Sequence, residues 1–169
     1  MVSFNQKRIA GREPGIGGLQ EVQEEIYRQL QLLVPDDVAY FDSLVSRVAG
    51  SPALRLEVLE RHPYTSFMRL TYEFHDGDDR SYAPDAHIRF YHDAHLAEAT
   101  SYNTGQGCTR TAHPSYPSRQ LLAQAWRRNR ALDRWLDYLL KQGHNVTTMR
   151  PAQRSINELD DEKVLAEIS

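Results

Sequence analysis

Near the start of the chain, apolar residues recur at steps of three and four, the spacing of one face of an α-helix. These residues are Leu19, Val22, Ile26, Leu30 and Leu33. They predict a helix from about residue 19 to 34, which Pro35 ends because proline lacks the N–H that a helix needs. The glycine-rich segment 14–18 before it has turn chemistry, so residues 1–17 are predicted to form a flexible arm.

A second helical pattern occupies the last third of the chain. Its apolar face carries Leu121, Ala125, Leu132, Trp135, Leu136, Leu139 and Leu140. The opposite face carries Arg127, Arg130, Arg134 and Lys141. The pattern predicts a helix over 119–142, with Ser118 placed to cap its start and Gly143 its end.

Between the two helical patterns the period changes to two, which is typical of half-buried strands. Four such segments are predicted, at 54–58, 68–74, 86–91 and 95–102. The last two form a hairpin that turns tightly at His92-Asp93-Ala94, and short connections favour antiparallel pairing. Segment 38–48 fits either an irregular strand or a turn of helix. The prediction is an α+β fold, a four-stranded antiparallel meander sheet covered on one face by an N-terminal and a C-terminal helix.

The pattern predicts one α+β domain over residues 18–148, followed by an acidic tail over 149–169. The tail has the spacing of a capping box at Ser155-Ile156-Asn157-Glu158. It carries the acids Glu158, Asp160, Asp161, Glu162 and Glu167. Two interpretations stay open: a frayed solvated tail, which terminal segments favour, or a short helix that docks against the arginine face of the second helix.

Composition narrows the function classes. The 169 residues are 40% hydrophobic and 25% charged, which is typical of globular domains and not of disordered chains. The formal net charge of −3 argues against a dedicated nucleic-acid binder. No apolar run approaches a membrane span, no secretory signal opens the chain, and the single cysteine, Cys108, fits a reducing compartment. We therefore expect a cytoplasmic protein.

The predicted hairpin holds the densest set of potential ligands: His87, His92, Asp93, His95 and Glu98. Imidazole and carboxylate groups together suit zinc, nickel or iron, although no helical His-x-x-x-His spacing fixes a geometry. The alternative is that these side chains are solvated or bond the turn. We take Tyr91, His92, Asp93 and Glu98 as candidate ligand-binding residues and assign no metal, cofactor or catalytic residue.

Arg128 is a further candidate, because it projects onto the apolar side of the second helix together with Asn129. A buried arginine needs a partner or an exit to water. One interpretation places it at the edge of the sheet with its stem exposed. The other places its guanidinium in a pocket for a carboxylate or phosphate.

The block Ile88-Arg89-Phe90-Tyr91-His92-Asp93-Ala94, followed by Ala97-Glu98, resembles the signature hairpin of the YqiB-like proteins. Tyr116-Pro117 and Trp135-Leu136 with Gly143 are similar to its second block. The likeness covers about residues 17–144 and implies a small proteobacterial cytosolic protein with a domain of unknown function. The apolar segment 121–126 departs from the polar stretch of that family. Genomic association of the family with nucleotide-processing enzymes implies a nucleotide-linked role only by analogy.

The leading hypothesis is a non-enzymatic binding or adaptor module that uses the open face of the sheet or the hairpin rim. Its expected partners are a protein or a small anionic ligand, and exposed sheet edges allow homo-oligomers. The alternative is a metal-dependent phosphate-ester hydrolase with His92, Asp93 and Glu98 as ligands or acid-base groups. No assembled catalytic motif favours the second hypothesis over the first.

Overall fold

A computed structural model describes residues 15–76, 79–105, 108–109 and 118–152 of the chain. In chain order the elements are α1 (Ile16–Leu33), a 3₁₀ helix (Asp36–Tyr40), β1 (Ser43–Ser46), β2 (Ala53–Arg61), β3 (Thr65–Asp76), β4 (Asp79–Tyr91), β5 (Leu96–Asn103), β6 (Cys108–Thr109), α2 (Ser118–Gln142) and β7 (Met149–Pro151). Within this described part, the strands form one antiparallel sheet in the order β6-β5-β4-β3-β2-β1-β7. The predicted α+β fold with an antiparallel sheet and two helices is confirmed.

The predicted number of four strands is wrong, because the described residues contain seven. The extra strands are β1, β6 and β7, each of four residues or fewer. A run this short shows too few alternations to register as period two. For segment 38–48, both interpretations were partly right, since it holds a 3₁₀ helix and then β1.

Alternate residues of β2 to β5 point to the helices and form one hydrophobic core with them. The core residues from the strands include Leu54, Leu56, Met68, Leu70, Tyr72, Ala86, Ile88, Phe90, Ala97 and Ala99. The core residues from the helices include Val22, Ile26, Leu30, Leu33, Leu132, Trp135, Leu136 and Leu139. The apolar stripes of α1 and α2 and the alternating strand residues thus bury one another.

α1 begins at Ile16, so the prediction that Gly17 and Gly18 belong to a loop is wrong. The reason is tertiary packing: a Cβ built on Gly18 would lie 3.2 Å from Cη2 of Trp126. Glycine at this position lets the indole ring lie against the helix backbone. The predicted arm before residue 15 and the tail after residue 152 lie outside the described residues.

The predicted end of α2 is confirmed at Gly143, which has a φ of +100°. Its N–H donates to Leu140 O and the N–H of His144 donates to Leu139 O, both at 3.1 Å. This pair of bonds is the Schellman arrangement, in which glycine adopts the left-handed conformation. It turns the chain so that His144 enters the core.

Candidate functional site

The hairpin between β4 and β5 pairs Tyr91 with Leu96 and turns through the four residues between them. His92 Nε2 lies 2.8 Å from Ser66 Oγ, and its ring stacks on Phe90 at 5.9 Å between centroids. Asp93 Oδ1 accepts a hydrogen bond from the N–H of Ala94 at 3.0 Å. These contacts are the ones that shape a turn, so both polar side chains serve the hairpin itself.

His95 closes the turn in the left-handed region, with a φ of +52°. Histidine is one of the non-glycine residues that tolerate this conformation. Its ring lies 5.4 Å from the ring of Tyr27 on α1. The turn is therefore attached to the first helix and does not project freely.

Glu98 connects the hairpin to α1. Its Oε1 accepts a hydrogen bond from Tyr91 Oη at 2.6 Å, and its Oε2 lies 3.5 Å from Gln23 Nε2 on α1. Burial raises the pKa of Tyr91, and the hydrogen bond to the Glu98 carboxylate raises it further. Tyr91 is therefore a hydrogen-bond donor at neutral pH and is not poised to lose its proton.

Arg128 is only 7% exposed, so the interpretation that leaves its stem in water is wrong. Its Nε donates to Ala99 O at 3.3 Å. Burial lowers its pKa, while the negative charge of Glu98 acts in the opposite direction. Asn129 lies beside it and accepts the N–H of the same Ala99 at 3.0 Å.

Of the five candidate residues, Tyr91 is hydrogen-bonded to Glu98, and the charge of Glu98 acts on Arg128. His92 and Asp93 lie at the turn and are not joined to them by any contact of the described residues. No group of three or more His, Cys, Asp or Glu side chains in the described part could hold a metal ion. The geometry therefore gives no support to His92, Asp93 and Glu98 as one metal-ligand set.

The sequence did not point to a second feature, the exposure of large side chains at one end of the sheet. We define the turn end as segments 36–42, 59–64 and 92–95. Backbone hydrogen bonds join them, because the N–H of Val58 donates to Asp42 O and the N–H of His92 donates to Tyr64 O. Tyr40 is 86% exposed and Tyr64 is 69% exposed. Leu59 is also exposed there. A tyrosine inside the turn signal His62-Pro63-Tyr64 was the available clue, since turns usually take small polar residues.

A model of the family described as "Protein of unknown function (DUF1249)" matches residues 29–145. The match covers more than half of the chain. This chain belongs to the DUF1249 family. No curated protein and no solved structure matches it.

The segment that matches the DUF1249 model begins in the last turns of α1 and ends just after α2. It contains the hairpin turn, Glu98, Arg128, Tyr40 and Tyr64. The turn end and the contacts around β5 therefore lie within the shared part of this DUF1249 protein. In the described residues, neither helix is long and apolar enough to cross a membrane.

The sheet face opposite the helices carries ion pairs that cross from strand to strand. Arg69 donates from Nε and Nη2 to the two oxygens of Asp85 at 2.9 Å each, and from Nη1 to Glu57 at 3.3 Å. The hydrogen bond with Asp85 raises the pKa of Arg69 above its already high usual value. Arg55 donates from Nε and Nη2 to a single oxygen of Glu73, Oε2, at 3.0 and 2.9 Å. These two arginines and three carboxylates thus satisfy one another.

His144 of the DUF1249 chain is fully buried and lies between two hydroxyl groups. Its Nδ1 is 2.7 Å from Ser46 Oγ, and its Nε2 is 3.0 Å from Ser51 Oγ. Burial lowers the pKa of His144, which favours the neutral ring with one donor and one acceptor nitrogen. His144 thus joins β1, the turn after β1 and the end of α2. Because its ring is fully buried, it is not a site for a substrate.

Proposed function

We propose that this DUF1249 chain is a non-enzymatic binding module that recognises a protein partner through the turn end of its sheet. The observation that supports this is the exposure of Tyr40 and Tyr64, at 86% and 69%. Tyrosine supplies a large contact area at a low entropic cost and is enriched at protein interfaces. Both tyrosines lie within the family-matched segment.

The open face of the sheet supports the proposal less well. Arg55 and Arg69 on this face are already engaged with Asp85, Glu57 and Glu73. A ligand that used these arginines would first have to break the bidentate pair of Arg69 with Asp85 or the two hydrogen bonds from Arg55 to Glu73. Such charge-assisted hydrogen bonds are stronger than neutral ones.

At the turn end the contacts of Arg61 with Asp42 and of His62 with Glu60 are single and exposed. Neither involves Tyr64, so the Tyr64 ring can contact a partner directly.

The shape of the region favours a macromolecule over a small ligand. The depression beside the turn lies between α1 and the hairpin and is lined by Glu24, Tyr27, Arg28, Gln31, Ala94 and His95. It is shallow and open, whereas sites for small molecules enclose most of the ligand surface. A broad surface with a few exposed aromatic anchors is typical of a protein interface.

The proposal is tested with a photo-crosslinking phenylalanine analogue placed at position 64 in living cells. Position 138 is the matched control, because Tyr138 on α2 is also exposed, at 50%, and lies away from the turn end. We expect one protein to crosslink at position 64 and not at position 138. Tyr64→Ser should then weaken binding of that purified protein by at least about tenfold, as loss of an interface anchor does, while Tyr138→Ser leaves it unchanged.

Equal crosslinking at both positions, or a Tyr64→Ser variant that binds as tightly as the parent, would rule out this surface. The non-enzymatic part has its own test. Turnover of phosphate esters or carboxyl esters that His92→Ala abolishes, with folding intact by circular dichroism, would show an enzyme with a centre at the hairpin.

Two finer assignments belong to the same proposal. The hairpin block 88–94 supports placing the chain among the YqiB-like members of the family. The presence of one cysteine in 169 residues supports a reducing, cytoplasmic setting. Detecting the protein in a fractionated bacterial cell with an antibody would test the second assignment.

A further inference from the structure

α2 concentrates positive charge in a chain whose formal net charge is negative. The helix contains six basic residues and two acidic ones, whereas the net charge of the whole chain is −3. At about 100° per residue, Arg127, Arg134, Tyr138 and Lys141 lie within about 60° of one another around the helix axis. All four are exposed. We call these four residues the basic stripe.

The basic stripe lies on the side of α2 that is turned away from α1. The side that faces α1 is marked by Asp133, which accepts a hydrogen bond from Gln29 Nε2 at 3.2 Å. It is also marked by the Trp126 ring, which lies against Gly18. Arg130 lies next to this side, with its guanidinium 5.8 Å from the ring centre of Trp126. The contact between the helices therefore leaves the basic stripe uncovered.

Two arginines of the basic stripe have no acidic partner. In the part of the chain that the structure describes, no carboxylate forms an ion pair with Arg127 or Arg134. Lys141 pairs with Asp137, four residues earlier on the same helix, and both side chains are exposed. Such surface pairs contribute little to stability. An external anion can therefore engage all three cations without breaking a strong contact.

The composition of the basic stripe suits a chain of phosphates better than an acidic protein. Protein interfaces depend on a desolvated apolar core, whereas the stripe consists of three cations and one tyrosine. Exposed ion pairs with protein carboxylates are weak and are screened by salt. A nucleic acid gains instead from the release of condensed counterions for every phosphate that is neutralised. Guanidinium groups also match phosphate oxygens with two parallel hydrogen bonds.

We propose that the basic stripe binds single-stranded nucleic acid. The position of Tyr138 favours a single strand over a duplex, because its ring is 50% exposed and can stack on an unpaired base. Tyr138 lies about 6 Å along the helix axis from Arg134 and about 4.5 Å from Lys141. A base that stacks on this ring therefore has a cation on each side for its flanking phosphates.

Charge and stacking together define the kind of strand that is bound. The basic stripe is about 21 Å long from Arg127 to Lys141, at 1.5 Å of rise per residue. A row of cations with one ring contacts the backbone and the face of a base, so binding depends little on base sequence. RNA and DNA offer the same phosphates and base faces, so both are ligands of the stripe.

The test is fluorescence anisotropy of labelled oligothymidine and oligouridine, each about 15 nucleotides long, titrated with the full chain. The titrations are repeated between about 20 and 200 mM NaCl. Each phosphate neutralised on a single strand adds about −0.7 to the slope of log K against log salt concentration, so three cations should give a slope of about −2. The two oligonucleotides should bind with similar affinity.

Two variants separate charge from stacking. Arg127→Gln with Arg134→Gln should bring the slope to about −0.7 and weaken binding at the lowest salt at least about tenfold. Tyr138→Ser should weaken binding at least about fivefold and leave the slope unchanged. Arg89→Gln is the matched control, because Arg89 is exposed on the opposite face of the sheet and its neighbours along β4 point into the core. It should change neither quantity.

The proposal is overturned if neither oligonucleotide binds at the lowest salt. It is also overturned if Arg89→Gln weakens binding as much as the double arginine variant, because the attraction is then spread over the whole surface. Oligoglutamate that displaces the oligonucleotides at equal charge would identify an acidic protein as the occupant. A duplex that binds more tightly than the single strands, with no effect of Tyr138→Ser, would rule out the single-strand assignment.

Discussion

Asn129 on α2 binds the backbone of Ala99 on β5. Its Oδ1 accepts the Ala99 N–H at 3.0 Å, and its Nδ2 donates to Ala125 O at 2.8 Å. In the described residues β5 pairs with β6 only at Tyr102 and Asn103, so the backbone of Ala99 has no strand partner on its outer side. Side chains of α2 take the place of that strand, which closes an edge that would otherwise stay open.

This relationship predicts that Asn129→Ala lowers the free energy of unfolding by about 1–3 kcal/mol, the cost of leaving a buried N–H without an acceptor. For a chain of this size each kcal/mol corresponds to about 2–4 °C in melting temperature. Urea denaturation followed by circular dichroism measures it. Gln142→Ala, at the exposed end of the same helix, is the control, and equal effects of the two substitutions would contradict the edge-closing role.

The glycines at the start of α1 give a matched pair. A Cβ on Gly17 meets no atom within 4 Å, whereas one on Gly18 meets the Trp126 ring at 3.2 Å. Gly17→Ala should therefore raise the free energy of unfolding by about 0.5–1 kcal/mol through helix propensity. The free energy of unfolding of Gly18→Ala should be about 1 kcal/mol lower than that of Gly17→Ala, because the Trp126 ring must move. Chemical denaturation of both variants compares them, and identical stabilities would mean that Trp126 does not depend on Gly18.

The sequence predicted the elements whose pattern is long. The stripe from Val22 to Leu33 and the alternation from Met68 to Phe74 each repeat several times, so burial of one face determined them. β1 and β7 escaped prediction because they have four and three residues. Their existence depends on pairing with β2 and with each other, which no local pattern records.

The candidate site was predictable only in part. Arg128 and Asn129 stood out because polar residues on an apolar helix face need partners. Their partner is the backbone of Ala99. Every residue has the same backbone carbonyl, so the sequence does not show which one is the partner. The exposure of Tyr40 and Tyr64 depends on whether other segments of the fold cover their rings. Composition and periodicity do not show this.

The fork between Arg69 and Asp85 predicts a measurable coupling. Both side chains are mostly buried, at 26% and 17% exposure, and charge-assisted bidentate pairs are stronger than exposed ones. A double-mutant cycle with Arg69→Met and Asp85→Asn should give a coupling of about 1–2 kcal/mol. The exposed pair Arg61 and Asp42, at 3.4 Å, is the control and should give a smaller, salt-sensitive coupling. A cycle for Arg69 and Asp85 that closes to zero would mean that the open face is not stabilised by its ion pairs.

The burial of His144 predicts a dependence of stability on pH. Burial lowers its pKa in the folded protein, while an unfolded histidine titrates at about 6.5. Below that pH the unfolded chain therefore binds more protons at this residue than the folded chain does, and the free energy of unfolding falls as the pH falls. The slope from this one group can reach about 1.4 kcal/mol per pH unit. Its contribution becomes constant at about pH 8, where the unfolded histidine is almost fully neutral as well.

The measurement is urea denaturation between pH 5.5 and 7.5 for the parent protein and for His144→Gln. Glutamine keeps a donor and an acceptor for Ser46 and Ser51 but cannot take up a proton. The variant should lose part of the pH dependence even where its stability at pH 7.5 is lower. Gln142→Ala, which alters an exposed position and no ionisable group, should leave the shape of the profile unchanged. Parallel profiles for the parent and His144→Gln would mean that the buried imidazole is not the group whose protonation destabilises the fold.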